Sequence, residues 1–176
     1  MSGNTNREYW DTCVFLAYIR KEKHRIGEFE EIESRVKLFE QGAISLFTSA
    51  ITITEIYEAA RFNDHERNIF SGICKRTNFQ FIDANRNICE LASEIRSYFK
   101  LNPPKSNLYP TASDAIQVAS AIALRKMRKV DLELVTLDSD NKPKELAFIE
   151  MAPYIQSQYG VIITRPTVPP IFRSER

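Results

Sequence analysis

The chain has 176 residues, 43% of them apolar and 27% charged, with a formal net charge of +1, the composition of one globular domain with a sizeable core. So small a net charge excludes a global field for nucleic acid but leaves room for a local basic groove. The polar stretch Met1 to Glu8 lacks the apolar core of a signal peptide, and no apolar run reaches the roughly 18 residues of a membrane-spanning helix, so the expected home is the cytoplasm.

In chain order, Glu8 to Trp10 reads as a short first strand ending at Asp11. Val14, Phe15, Leu16, Tyr18 and Ile19 form a helix running into the charged stretch Arg20 to Arg25. Phe29, Ile32, Val36 and Phe39 recur at spacings of three and four, one face of an amphipathic helix, and Gly42 stops it. Ile44 to Phe47 is a second strand, followed by helices from about Thr54 to Phe62 and from His65 to Arg76. Phe79 to Ile82 is a third strand, and Ala84 to Lys100 a long helix with Ile88, Leu91, Ala92, Ile95 and Phe99 inward. Three prolines and two asparagines make Leu101 to Pro110 a loop. A helix from Ser113 to Lys129 carries Ala115, Val118, Ala119, Ile122 and Ala123, and Leu132 to Val135 is a fourth strand. Glu145 to Ile155 is helical, Val161 to Ile163 is a late strand, and a flexible tail begins near 166. Strands alternating with helices predict a single α/β domain over 1–176, its central sheet mainly parallel.

In such sheets ligands bind beyond the carboxyl ends of the strands. Asp11 and Asp138 fall at those ends, and Glu55 and Asp114 in first turns of helices that can face the same rim. Four converging acids repel one another unless a cation joins them, which points to a hard, oxygen-seeking ion such as Mg²⁺ or Mn²⁺. Each acid also has a plainer reading. Asp11 suits a helix N-cap; Thr52 to Glu55 and Thr111 to Asp114 match capping boxes; Asp138 and Asp140 suit a turn; Asp83 caps the helix at Ala84. Asp114 continues the apolar stripe of Val118 and Ile122, where a carboxylate without a partner is costly to bury.

Other chemistries lack their residues. Cys13, Cys74 and Cys89 are far apart and read as reduced thiols, not as a disulfide framework or a zinc knuckle. The two histidines, His24 and His65, sit in charged stretches and give no basis for a triad. No glycine pattern cradles a nucleotide.

Tyr9-Trp10-Asp11-Thr12-Cys13-Val14-Phe15-Leu16 resembles the opening strand and turn of PIN-domain nucleases. Ser49 to Ala59 resembles their second acidic motif, Ser113-Asp114 to Ile122 the third, and Val135-Thr136-Leu137-Asp138-Ser139-Asp140 the fourth; Tyr159 to Ile163 is similar to the closing strand. The four motifs stand in the family's order. The resemblance implies a three-layer α/β/α fold of PIN type and a metal-dependent ribonuclease, often the toxin of a VapBC-type pair. It implies a metal set of Asp11, Glu55, Asp114 and Asp138, with Asp140 as auxiliary and Thr136 as hydrogen-bonding support. Cys13 stands where asparagine or serine is common, and the segment from Arg20 to Gln41 and the tail from Pro166 exceed a compact toxin.

On this reading the acids hold one or two Mg²⁺ or Mn²⁺ ions for hydrolysis of RNA, with Glu55 completing the site or serving as general base. Cations must then offset the acidic pocket, from Arg20, Lys21, Lys23 and Arg25 or from Arg125, Lys126, Arg128 and Lys129, and Tyr18 and Tyr109 are candidates for stacking on bases. Solvated helix faces and ordinary packing are the plainer readings of these residues. The amphipathic segments 29–39 and 65–76 offer faces for a homodimer, and an antitoxin can insert an arginine among the acids. The rival functions are a catalytically silent PIN-like module binding RNA or protein, a structure-specific DNA nuclease, and an aspartyl phosphatase, which Asp11-Thr12 fits poorly for want of a second aspartate.

Overall fold

The computed structural model describes residues 6–22, 25, 27–59, 62–104, 108–138 and 145–166. Among these residues, five strands, β1 (Asn6–Trp10), β2 (Ile44–Ser49), β3 (Phe79–Ile82), β4 (Glu133–Val135) and β5 (Ile162–Thr164), form one sheet in the order β3-β2-β1-β4-β5. Every neighbouring pair is parallel, with Tyr9 opposite Phe47 on one side and Leu134 on the other. Among the described residues, seven helices connect and cover the strands: α1 (Thr12–Arg20), α2 (Glu28–Glu40), α3 (Ile51–Glu58), α4 (Asp64–Cys74), α5 (Arg86–Leu101), α6 (Ala112–Arg128) and α7 (Phe148–Tyr159). This is the three-layer PIN-type α/β/α arrangement that the sequence motifs imply.

The period of two along a strand divides the core between the two faces of the sheet. Tyr9, Phe47, Leu134 and Ile163 point to the layer of α5, α6 and α7, where Ile95, Ile122 and Ile155 are buried. Trp10, Leu46, Phe79 and Val135 point the other way, against α1, α2 and α4. On that face Phe15 meets Trp10, Phe70 and Phe79 at centroid distances of 5.4, 5.8 and 6.1 Å, tilted or edge-on. Such pairs add about 0.5–1.5 kcal/mol each beyond the burial itself.

The polarity of β1 has a specific cause. Glu8 points to the Trp10 face and is 3% exposed. Its carboxylate accepts from Trp10 Nε1 at 2.9 Å and lies 2.7 Å from Nη1 of Arg35, a buried arginine of α2. Glu133 on β4 approaches the same nitrogen at 3.6 Å. A buried charge is tolerated when paired and hydrogen-bonded, which is the condition Glu8 meets.

Several sequence expectations need correction. Helix α3 begins at Ile51 rather than near Thr54, so Thr52 lies inside it and is not a cap; its hydroxyl is buried against Thr48 at 2.7 Å. Asp83 does not cap α5; Asn85 does, accepting from Ile88 N at 3.2 Å. Helix α7 begins at Phe148, later than Glu145. The two faces offered for a homodimer are spent inside the chain: Phe29, Ile32, Val36, Phe39, Phe70 and Ile73 are buried, most of them in the cluster around Trp10 and Phe15. The tail from 167 onward lies outside the described residues.

Candidate active site

The strand order turns at β1, with β2 and β3 laid to one side and β4 and β5 to the other. A crevice opens beyond the carboxyl ends at such a switch point. Here a cavity of about 410 Å³ is lined by Asp11, Glu55, Glu58, Asp114 and Asp138, together with Thr12, Cys13, Leu16, Ala59 and Phe148. The four acids predicted from sequence therefore meet at one place. Asp140 lies outside the described residues.

Asp11 follows β1 directly and is the N-cap of α1, its Oδ1 accepting from Thr12 N at 2.7 Å. Oδ2 accepts from Cys13 Sγ at 2.8 Å and from Thr136 Oγ1 at 3.0 Å. The cap and the site are thus one residue. Burial pushes the Asp11 pKa up to about 7; the Cys13 hydrogen bond opposes this, the charges of Asp114 and Glu55 add to it, and the Thr136 hydrogen bond again opposes it. Cys13 supplies the side-chain donor that asparagine or serine would supply. Burial and the adjacent Asp11 charge hold its thiol well above the usual range, so it stays protonated and donates.

Asp114 keeps the capping box predicted for it: its N–H donates to Thr111 Oγ1 at 3.0 Å, and its carboxylate accepts from Thr111 N at 3.3 Å. The box fixes the carboxylate at the first turn of α6, on the rim of the cavity. Asp138 is 8% exposed, and its Oδ2 accepts from Phe148 N at 3.0 Å, the amide that opens α7. Arg165, just beyond β5, donates to the carbonyls of Leu137 and Asp138 at 3.0 and 2.8 Å and pairs with Glu28. Burial pushes the Glu28 pKa up, but the hydrogen bond and charge of Arg165 outweigh it and leave the carboxyl below its usual range. The Asp138 segment is thereby tied to α2.

Beneath Glu55 lies a polar network that the sequence reading missed. Glu55 accepts from Thr12 Oγ1 and Ser113 Oγ. The Gln117 amide nitrogen reaches Glu55 Oε2 at 3.0 Å, Thr12 Oγ1 at 3.0 Å and Thr52 Oγ1 at 2.9 Å. Its oxygen accepts from Tyr9 OH at 2.7 Å. Thr48 donates to the Trp10 carbonyl at 2.8 Å, so the proton in its bond with Thr52 comes from Thr52. Glu58 was missed as well. Its signal was available: it stands one helical turn after Glu55 and so shares its face.

None of the described cations expected around the cavity lines it. Arg20 pairs with Glu66 at 3.1 Å, and Lys23 is outside the described residues. Arg125 to Lys129 end α6, roughly 17–23 Å along the helix from Asp114. There Arg125 lies against Gly160, Lys126 is 5.5 Å from the Tyr159 ring centroid, and Arg128 bonds Gln80. Tyr18 packs against the Trp10 cluster instead of facing the cavity.

The donor set suits a hard dication, since it offers carboxylate oxygens, and the charges of Asp114 and Glu55 add to the rise that burial imposes on the Asp11 pKa. As the side chains lie, no three His, Cys, Asp or Glu among the described residues are grouped closely enough to cage an ion. Mg²⁺ does not require such a cage, because it binds through one or two carboxylates and keeps several waters. A second hollow of about 440 Å³, beside edge strand β3, is lined by Gln80, Phe81, Asp83, Asn87, Lys126 and Met127 among others and has no such concentration of acids.

The PIN domain family model matches residues 9–148, well over half of the chain. The fold is similar to that of VapBC2 from Rickettsia felis, solved with a DNA fragment of its promoter, at a TM-score of 0.58 and 13% identity over 90% of this chain and 98% of that one. DNA-bound VapBC from Salmonella typhimurium gives a TM-score of 0.56 and 14% identity over 92% and 99%. FitAcB from Neisseria gonorrhoeae gives 0.50 and 16% over 90% and 97%. No curated protein matches the chain in sequence.

Proposed function

Because the chain belongs to the PIN domain family, we propose that it is a metal-dependent endoribonuclease that hydrolyses RNA phosphodiester bonds at the acid-lined cavity. One observation carries the proposal: carboxylates from four separate segments line a single opening, and two of them, Asp114 and Glu55, help raise the pKa of a third, Asp11. A dication relieves that repulsion. When bound, Mg²⁺ or Mn²⁺ supplies a water of lowered pKa and offsets negative charge that develops on the phosphate.

Asp11, Asp114 and Asp138 would hold the metal, with Asp140 as an auxiliary. Thr136 and Cys13 aim Asp11 through its Oδ2. Phe148 N and the Thr111 amide aim Asp138 and Asp114 in the same way. Glu55, oriented by Thr12, Ser113 and Gln117, is the remaining member of the metal set and would accept the proton of the attacking water. The kinship with solved VapBC and FitAcB complexes supports a toxin role, with an antitoxin partner whose arginine would pair with the acids. Three free cysteines suit the cytoplasm.

A catalytically silent module is the second reading. It draws on the hydrogen bonds that already engage the Glu55 and Asp138 carboxylates. Cleavage of single-stranded RNA with Mn²⁺ or Mg²⁺ and with EDTA separates the two. The nuclease reading expects EDTA to abolish cleavage and Asp114→Asn to slow it on the order of a hundredfold or more, with the fold intact by circular dichroism. Cleavage that persists in EDTA sinks the metal mechanism, and RNA binding without metal-dependent cleavage favours the silent module.

A further inference from the structure

The described residues lining the acidic cavity include no lysine or arginine, so a phosphate chain needs a cationic seat beside it. We propose that Tyr109, Arg96 and Lys100 form that seat for single-stranded RNA, the ring stacking a base and the two cations neutralising phosphates. The inference rests on the ribonuclease reading and names where its substrate would be held.

Arg96 and Lys100 stand four residues apart on α5 and so share one face. The Tyr109 ring lies against both, its centroid 5.5 Å from Arg96 Cζ and 4.8 Å from Lys100 Nζ. It remains 38% exposed, presented to solvent rather than packed away. Two backbone anchors hold it in place. Arg96 Nε donates to the Pro110 carbonyl at 3.1 Å, next to Thr111, which caps α6 and holds Asp114. Leu146 N donates to the Tyr109 carbonyl at 3.3 Å, two residues before Phe148, which lines the cavity and holds Asp138. The seat is therefore fastened beside two of the segments that serve the site, those holding Asp114 and Asp138. Positive charge interleaved with an aromatic face is the chemistry that single strands use, because every base has a face to stack and every nucleotide a phosphate to pair.

The test is fluorescence anisotropy of labelled oligo-uridylate on the full chain in EDTA, so that binding is read without cleavage. Tyr109→Ala is expected to weaken binding roughly tenfold, while Tyr109→Phe, which keeps the ring, stays within about twofold. Lys100→Gln is expected to flatten the slope of log affinity against log salt by about 0.7, the loss of one phosphate contact. Circular dichroism checks that each variant folds. Unchanged affinity in folded Tyr109→Ala, an unchanged salt slope in folded Lys100→Gln, or no binding by wild type overturns the seat. So does displacement of the RNA by poly-glutamate as readily as by unlabelled oligo-uridylate, since the patch would then serve an acidic polypeptide. If the variants weaken binding as expected but wild type fails to cleave with Mn²⁺, the seat stands and the nuclease reading falls.

Discussion

Gln117 is 1% exposed and joins side chains of β1, α1 and α3 to α6. A buried amide with its oxygen and nitrogen both engaged contributes modestly in net terms, but its removal strands its partners, and a stranded buried group costs about 1–3 kcal/mol. Gln117→Leu leaves the Tyr9 hydroxyl without its acceptor and Glu55 without one donor. The expected loss is about 2–4 kcal/mol, read as a lower urea midpoint at unchanged slope. Tyr9→Phe should cost less, and the double variant less than the sum of the two, because they share one bond. The helical spacing of Ala115, Val118, Ala119 and Ile122 marks the inward side of α6, and against that stripe a glutamine reads as solvent-facing. Its burial follows from contacts with three other elements, and periodicity within one helix carries no information about them. Asp11 and Asp114 were legible for the opposite reason: each sits at a local signal, a strand end or a capping box, that also happens to face the site.

At the scale of elements, the polar opening strand and α2 explain each other. Strand β1 is central in the sheet, flanked by β2 and β4, yet carries Glu8 into the core with Arg35 as counter-ion. Arg35→Met removes one charge and leaves the other buried. The expected cost is about 3–5 kcal/mol, measured by urea unfolding. Adding Glu8→Gln should recover much of it, and no recovery would mean that Arg35 acts through packing alone. The strands themselves were readable as short apolar runs, and the bounds of β3 coincide with the predicted ones. Helix starts were less so. Thr52 has the residue type of a cap, but its hydroxyl is used for a bond to Thr48 across to β2, and the helix begins without a side-chain cap at Ala50. The basic clusters misled for a related reason: a run such as Arg125 to Lys129 marks a helix end, and only the fold decides which end of α6 faces the acids.

For the molecule as a whole, burying Asp11, with the charges of Asp114 and Glu55 beside it, imposes a stability cost that varies with pH. The Asp11 pKa rises from 3.8 to about 7 on folding. Between those values the unfolded chain has released this proton while the folded chain still holds it. Stability therefore falls as pH rises through that window and levels off above about 7, by on the order of 2–4 kcal/mol for this group. A cation that binds only the folded, ionised acids reverses the trend, adding about 2.7 kcal/mol at a concentration one hundred times its dissociation constant. Urea midpoints in EDTA should decline from mildly acidic to neutral pH, and Mn²⁺ should raise them most at the neutral end. Asp11→Asn should flatten the decline in EDTA and shrink the response to Mn²⁺, since the variant lacks both the titrating group and a ligand. A profile in EDTA as flat for wild type as for Asp11→Asn would mean that neither burial nor the neighbouring acids hold the Asp11 proton, and the electrostatic reason for a metal at this sheet edge would be lost with it.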